Sequence, residues 1–308
     1  MKKLITELIK QVPFNHETLN HFLNQYQTSQ EQLNQDLSDY DLSLEAIGDV
    51  FDLTPKFIPW SEARLASLFT NIQCQVWPET TSVLDTIKEA PSDGVKLHVA
   101  EFQSCGQGTK NRSWQSGYGQ GINFAWQFHV NATMQQMMGL SQFSILMLHQ
   151  LFNDCAVKPQ LKWPNDLYYQ GKKLAGVLIN VDDVGHGHVK VTIGIGMNVH
   201  PPTKQIEAIG LSSFITGPID RHEWLVNYIE IFNKNLPLFL SHQLSPWLSQ
   251  WQNHDMLYSK MCEIQDQNTV LLKKVMGINA QGLICLEDTA GEMKTSFTAQ
   301  IQNVLEER

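Results

Sequence analysis

The sequence predicts an α+β protein in three parts, and three observations carry that expectation. Residues 1–57 place apolar side chains at helical spacing and finish on a short β-rich run. Residues 58–253 alternate strand-like runs with long apolar helices. Residues 254–308 hold short β-rich runs separated by Gly- and Asn-containing turns. The whole chain has 308 residues, 42% of them hydrophobic and 17% charged, the balance of a globular protein with a real core. No apolar run approaches a membrane span, and no hydrophobic secretory segment with a small-residue cleavage site opens the chain. The five cysteines, Cys74, Cys105, Cys155, Cys262 and Cys285, are scattered without a C-x-x-C pair. Reduced thiols and a cytoplasmic location are expected. A net charge of −9 argues against non-specific nucleic-acid binding by the chain as a whole.

In the first part, Leu4, Ile5, Leu8, Ile9 and Val12 predict a helix that Pro13 stops. Asn15 is placed to cap a second helix carrying Leu19, Phe22 and Leu23. Thr28 or Ser29 is placed to cap a third carrying Leu33 and Leu37. Leu44, Ile47, Val50, Phe51 and Leu53 around Gly48 suggest a short β-rich finish. Three short helices and a wing outline a winged helix-turn-helix, a DNA-binding module. Its charges oppose that role: between Lys10 and Lys56 there is no lysine or arginine, while Glu17, Glu31, Asp36, Asp39, Asp41, Glu45, Asp49 and Asp52 are acidic. Phosphate contacts need cations. A domain kept for packing or regulation is the expectation.

From Pro55 to Thr70 an amphipathic helical stretch (Trp60, Leu65, Leu68, Phe69) enters the second part. Cys74 to Trp77 reads as a strand, and Pro78-Glu79-Thr80-Thr81-Ser82 as a cap opening a helix with Val83, Leu84 and Ile87. By themselves three hydroxyl residues there are an N-cap. Leu97 to Phe102 alternates as a strand and runs into a glycine-rich, cationic loop, Gln103-Ser104-Cys105-Gly106-Gln107-Gly108-Thr109-Lys110-Asn111-Arg112-Ser113-Trp114. Such a loop after a strand can cradle a phosphate through backbone N–H groups or be a surface hairpin. Cys105 in it reads as a packing residue, with no base beside it. Asn123 to Phe128 alternates as a central strand, and Leu140 to Asn153 is a core helix. Gly185-His186-Gly187-His188 is a turn whose two histidines lack a carboxylate or cysteine at ligand spacing, so no metal site is assigned. Val189 to Gly196 is a strand ending in Gly194-Ile195-Gly196-Met197-Asn198, where two glycines let backbone approach a ligand. Trp224 to Leu240 and Pro246 to Trp251 are helices.

The densest signal is Lys162-Trp163-Pro164-Asn165-Asp166-Leu167-Tyr168-Tyr169 followed by Gly171-Lys172-Lys173-Leu174-Ala175-Gly176-Val177-Leu178. Two apolar runs flank a polar turn, the pattern of a hairpin. Lys162 sits in a mostly apolar setting, either snorkelling to the surface or facing an anion. The run K-W-P-N-D-L-Y with K-L-A-G-V-L resembles the central motif of biotin–protein ligases. The resemblance is specific in the middle of the chain and architectural at both ends. It implies a central biotin/lipoate ligase-type mixed sheet with helices, preceded by the winged-helix-like domain and followed by an SH3-like β-barrel.

The resemblance also implies an activity. ATP and Mg²⁺ would serve to convert biotin to biotinyl-5'-AMP, with transfer to a lysine of a biotin carboxyl carrier protein, and the resemblance alone implies a homodimer. Lys162 is the expected catalytic cation. The family's D-S-T-N becomes Glu79-Thr80-Thr81-Ser82 here, so Thr80, Thr81 and Ser82 are expected to contact biotin, together with Gly176. The family loop Q-x-x-G-R-G-R-x-x-R-x-W-x-S falls on Gln103, Gly106, Gly108, Arg112, Trp114 and Ser116. Gln103, Gly106, Gln107, Gly108 and Thr109 are expected on the biotin side. Lys110, Arg112, Trp114, Asn165 and Asn198 are expected on the adenylate side, with Asp166 shaping the pocket. Gln107 and Thr109 stand where the family loop has arginines. Each missing fork removes charge-assisted hydrogen bonds of roughly 1.5–3 kcal/mol when desolvated. Lys110 and Arg112 compensate in part, so weaker retention of the adenylate is expected. Two other activities stay open: a lipoate or octanoate ligase of the same superfold, and a biotin-responsive transcriptional regulator.

Overall fold

The computed structural model describes residues 2–91, 94–109, 112–203, 207–266, 269–296 and 298–305. It is a mixed α+β chain. The N-terminal segment forms α1 (Lys2–Gln11), β1 (Phe14–Asn15), α2 (His16–Gln25), α3 (Gln30–Ser38), β2 (Ser43–Ile47) and β3 (Val50–Thr54). The strands make a three-stranded antiparallel sheet in the order β1-β3-β2. Asn15 caps α2 in a reciprocal box: its side chain accepts from the Thr18 N–H at 2.8 Å, and the Asn15 N–H donates to the Thr18 hydroxyl at 2.9 Å. Ser29, not Thr28, caps α3, accepting from the Gln32 N–H at 3.1 Å. The strand β1 went unforeseen because two residues carry no period.

The middle of the chain contains α4 (Glu62–Leu68), β4 (Ile72–Trp77), α5 (Val83–Glu89), β5 (Val95–Ala100), β6 (Gly106–Gln107), β7 (Ser113–Trp114), β8 (Gly121–Asn131) and α6 (Leu140–Gln150). It continues with β9 (Gln160–Lys162), β10 (Asp166–Tyr169), β11 (Lys172–Gly185), β12 (His188–Asn198), α7 (Arg221–His242) and α8 (Leu248–His254). The helix expected from Pro55 shrinks to α4, capped by Ser61, because Pro59 disfavours helical backbone at the residue before it. The C-terminal strands β13 (Met261–Asp266), β14 (Thr269–Ile278), β15 (Ile284–Glu287), β16 (Met293–Ser296) and β17 (Gln300–Val304) form an antiparallel sheet in the order β16-β15-β14-β13-β17.

Two compact units divide the chain: Met1–Trp126 with Gly194–His222, and Gln127–Ile193 with Glu223–Arg308. In the first unit the sheet order is β4-β5-β8-β12, with β4 and β5 parallel. In the second it is β8-β12-β11-β10-β9, with β9, β10 and β11 antiparallel. Strands β8 and β12 run through both. Residues 121–128 of β8 are buried on both faces, so the expected in–out alternation is replaced by a fully buried strand, as its inner place in the sheet order requires.

The first unit's N-terminal core joins Ile5, Leu8, Phe14, Leu19, Phe22, Leu33, Leu37, Leu44 and Leu53 to Tyr118, with Phe57 and Phe102 packed against it. Residues 1–57 therefore share a core with the turn after β7. An ion pair lies deeper: Arg221 donates to Glu101 at 2.6 Å, both side chains nearly inaccessible. Arg221 also donates to the carbonyls of Ile58 and Gly121, and Glu101 accepts from the Trp60 N–H. These extra bonds offset a desolvation cost that an isolated buried pair would not recover.

Candidate functional site

In the first unit the segment after β4 pairs with the segment after β5. The Thr80 N–H donates to the Phe102 carbonyl at 3.1 Å, and the N–H groups of Ser104 and Cys105 donate to the carbonyls of Thr80 and Thr81, each at 2.9 Å. Thr80, Ser82 and Gln103 are buried, and Thr81 is exposed. Ser82 is the N-cap of α5, and the Gln103 Oε1 accepts from the Val83 N–H at 2.9 Å. Gln103 thus satisfies one of the N–H groups that a helix start leaves open. Glu79 receives the Tyr40 hydroxyl at 3.2 Å. Burial first, and then the Glu79 carboxylate, push the Tyr40 phenol up to about 12.

The glycine-rich loop folds on itself. Gly106 pairs with Trp114 and Gln107 with Ser113, and a Cβ on Gly106 would lie 2.5 Å from the Trp114 carbonyl oxygen. The Gly108 N–H donates to the Arg112 carbonyl at 2.8 Å. Arg112 is exposed and its guanidinium reaches Thr109, at 3.3 Å to the hydroxyl and 3.4 Å to the carbonyl. Gln107 donates to Asp85 of α5 at 2.7 Å. Lys110 lies outside the described residues. The Trp114 indole N–H donates to Asn123 Oδ1 at 2.9 Å, and Asn123 donates in turn to the buried Ser116 hydroxyl at 2.7 Å. The indole lies against Gly196 of β12, where a Cβ would sit 2.3 Å from it. Only glycine allows that approach. Asn198 is buried and donates to the Ile209 carbonyl at 3.1 Å.

In the second unit the K-W-P-N-D run forms β9, a turn and β10, with Asp166 opposite Lys162 and Leu167 opposite Leu161. The half-buried Lys162 ammonium sits 4.5 Å from the centre of the Tyr168 ring and 3.5 Å from its hydroxyl. That combines a cation–π contact with a hydrogen bond at its outer limit. A bulge between Leu167 and Tyr168 shifts the β10–β11 register beside it. Asn165 is buried and bonded to Val177 in both directions, through its side chain and its carbonyl. Asp166 pairs with Lys173 at 2.8 Å, and this pair fills the space that a Cβ on Gly176 would enter, at 3.0 and 3.3 Å. Trp163 is buried and donates to the Gly282 carbonyl at 3.0 Å.

Residues 72–198 match the model of the biotin/lipoate A/B protein ligase family. Among curated relatives, the bifunctional ligase/repressor BirA of Escherichia coli is 28% identical over 211 residues, covering 67% of this chain and 65% of that protein. BirA of Bacillus subtilis is 26% identical over 213 residues, with the same two coverages. The biotin--[acetyl-CoA-carboxylase] ligase of Mycobacterium tuberculosis is 31% identical over 123 residues, covering 38% of this chain and 44% of that one. The match thus spans slightly less than two thirds of each BirA relative. Among solved structures, the biotin protein ligase of Aquifex aeolicus in complex with biotin and ATP superposes with a TM-score of 0.62 at 22% identity, covering 75% of this chain and 98% of that one. At that identity the likeness is one of fold.

The partners of Trp114 and Gln107 were not foreseen in the sequence, although Gly196 was noted there as a place of close approach. Asn123 announces itself only as a polar side chain in an apolar strand, and Asp85 as an ordinary helix residue. The role of Gly196 against Trp114 needs the tertiary structure. Their partners are 9, 22 and 82 residues away in sequence.

Proposed function

We propose that this chain is an ATP-dependent biotin–protein ligase built as a winged-helix-like domain (1–57), a catalytic domain (58–253) and an SH3-like barrel (254–308). The observation that carries the reading is the K-W-P-N-D-L-Y hairpin, which holds Lys162 half-buried over Tyr168. In the first step an oxygen of the biotin carboxylate attacks the α-phosphorus of ATP and pyrophosphate leaves. Both reactants are anionic, and Lys162 offsets their repulsion and stabilises the charge of the transition state. In the second step the amine of an acceptor lysine attacks the biotinyl carbonyl and AMP leaves. The acceptor is a biotin carboxyl carrier protein.

Thr80, Thr81, Ser82, Gln103, Gly106, Gln107, Gly108, Thr109 and Gly176 take the biotin side. Lys110, Arg112, Trp114, Asn165 and Asn198 take the adenylate side. The Trp114–Asn123–Ser116 chain keeps the loop ordered and water away from a reactive mixed anhydride. Mg²⁺ draws its ligands from nucleotide phosphates and one or two carboxylates. No group of three His, Cys, Asp or Glu side chains able to hold a metal occurs among the described residues. Magnesium would arrive with ATP and serve there as charge neutralisation, and no residue is assigned to it.

The family relatives called ligase/repressor raise DNA binding. The acidic stretch between Lys10 and Lys56 speaks against it here, since α3 offers glutamines and carboxylates but no cation for phosphate. The deciding experiment is transfer of radiolabelled biotin to a purified carrier domain with ATP and Mg²⁺, comparing wild type with Lys162→Ala. Transfer lost in the variant supports the reading. Transfer of lipoate in place of biotin turns it to the lipoate branch of the family, and no turnover of either acid refutes it.

A further inference from the structure

Strands β9, β10 and β11 set three residues side by side in register: Lys162 opposite Asp166, and Asp166 opposite Gly176. Directly opposed residues of antiparallel strands present their side chains on one face. Asp166 therefore stands on the same face as Lys162, one strand away. A carboxylate in that place competes for the ammonium, and a neutralised Lys162 would bring less charge to an anionic substrate. In the structure the carboxylate is drawn from its other side, by Lys173 of β11 at 2.8 Å. The Lys162 ammonium lies over the Tyr168 ring, 4.5 Å from its centre.

A regular strand would not make the contact with Lys173. Counting back by twos from Gly176, Leu174 shares its face and Lys173 points to the other. The register shift changes the count: Ala175 opposes Leu167, but Lys173 opposes Tyr168, so Leu174 is the extra residue of a bulge. Leu174 and Ala175 are both buried, and Lys173 is turned to the face of Asp166 and Tyr168. Gly176 makes the room. A Cβ there would lie 3.0 Å from the Asp166 carboxylate and 3.3 Å from the Lys173 ammonium, so the pair crosses the place a side chain would occupy. The Lys173 and Asp166 side chains are 31% and 15% exposed, so solvent screens them less than a surface pair.

We propose that Lys173 is a positioning residue for the activation step: it draws the Asp166 carboxylate towards β11 and leaves the charge of Lys162 to meet the anionic substrate. The catalytic consequence rests on the ligase reading of Lys162. The arrangement of charges is a property of the substrate-free protein.

The test is trace acylation of the full chain with acetic anhydride at fixed pH and without substrate, read at Lys162 by mass spectrometry of its peptides. In Lys173→Met the Asp166 carboxylate turns to Lys162, which holds its proton more tightly, and acylation should slow by about three- to tenfold. Asp166→Asn combined with Lys173→Met removes both charges and should return the rate to near that of wild type. Biotin-dependent ATP–pyrophosphate exchange should follow the same order, about tenfold down in the single variant and recovered in the double. A hairpin merely loosened by loss of the pair would expose Lys162, so acylation that is faster or unchanged in Lys173→Met overturns the proposal. So does slowing that persists in the double variant, since it cannot come from Asp166. Where Lys173→Met does not fold, Lys173→Gln removes the charge but keeps a donor, and the same directions decide. A wild type that turns over no biotin ends the ligase reading, while acylation still decides where Asp166 is held.

Discussion

The glycine-rich loop of the first unit and the Lys162 hairpin of the second are held by different forces. Between Gln103 and Ser116 the contacts are a few single side-chain hydrogen bonds: Gln107 to Asp85, Arg112 to Thr109, Trp114 to Asn123 to Ser116. Arg112 itself is exposed, and its guanidinium bonds to Thr109 of the same loop. Around Lys162, by contrast, antiparallel register, buried Leu161, Leu167 and Leu174, and the Asp166–Lys173 pair fix the backbone from several sides. A net neutral hydrogen bond contributes about 1 kcal/mol, so a loop resting on a handful can open and close at modest cost. A hairpin inside a sheet cannot.

The largest effect is expected on the hairpin side. Lys162→Ala should lower biotinyl-adenylate formation by about 100- to 1,000-fold, the scale of losing one preorganised electrostatic group, with circular dichroism unchanged. A loss under tenfold would mean that the fixed charge is not the catalyst. On the loop side, Asn123→Ala leaves the Trp114 indole N–H without its acceptor. It should speed release of the adenylate by about tenfold while its formation changes less, as pulse-chase with labelled biotin would show.

Restoring a family arginine is a finer test of the loop. Gln107→Arg by itself should be captured by Asp85 and change little. Combined with Asp85→Ala, the freed guanidinium should slow adenylate release by about three- to tenfold. Equal behaviour of the single and double variants would show that Asp85 does not govern residue 107.

The two units should also part company in acid. In the first, His98 has a pKa lowered to about 4 and His200 and His222 are lowered as well, all with burial as the leading cause. Stability from these neutral histidines is full above their unfolded value near 6.5 and falls as pH drops below it. In the second unit His149, lowered to about 4, and His254, lowered chiefly by burial, act the same way, but Asp255, raised to about 6 by burial, acts oppositely. A carboxyl kept protonated in the fold contributes stability at low pH that is lost as pH rises through about 6. Between about pH 7 and 5 Asp255 should therefore offset part of the histidine loss around α8, by on the order of 1 kcal/mol, and amide exchange there should accelerate less in wild type than in Asp255→Asn. Asp255→Asn should remove the second unit's protection in acid.

Much of this architecture was legible in the chain. Helical spacing located α2, α3, α6 and α7, because a one-sided apolar stripe repeats over several turns. Alternation and turn residues located β12, the β10–β11 hairpin and the short strands after Asp255. The K-W-P-N-D-L-Y run carried the family resemblance because its residues are contiguous. That Lys162 ends a strand, β9, came from the structure. The structure alone supplied the partnerships between distant residues. Gln103 caps α5 twenty residues away, Trp114 rests on Gly196, Tyr40 reaches Glu79, and the buried Lys96 ammonium has no hydrogen-bond partner among the described residues. Period and propensity are properties of neighbours along the chain. Burial, close approach and unpaired donors arise only when sheet order brings distant strands side by side.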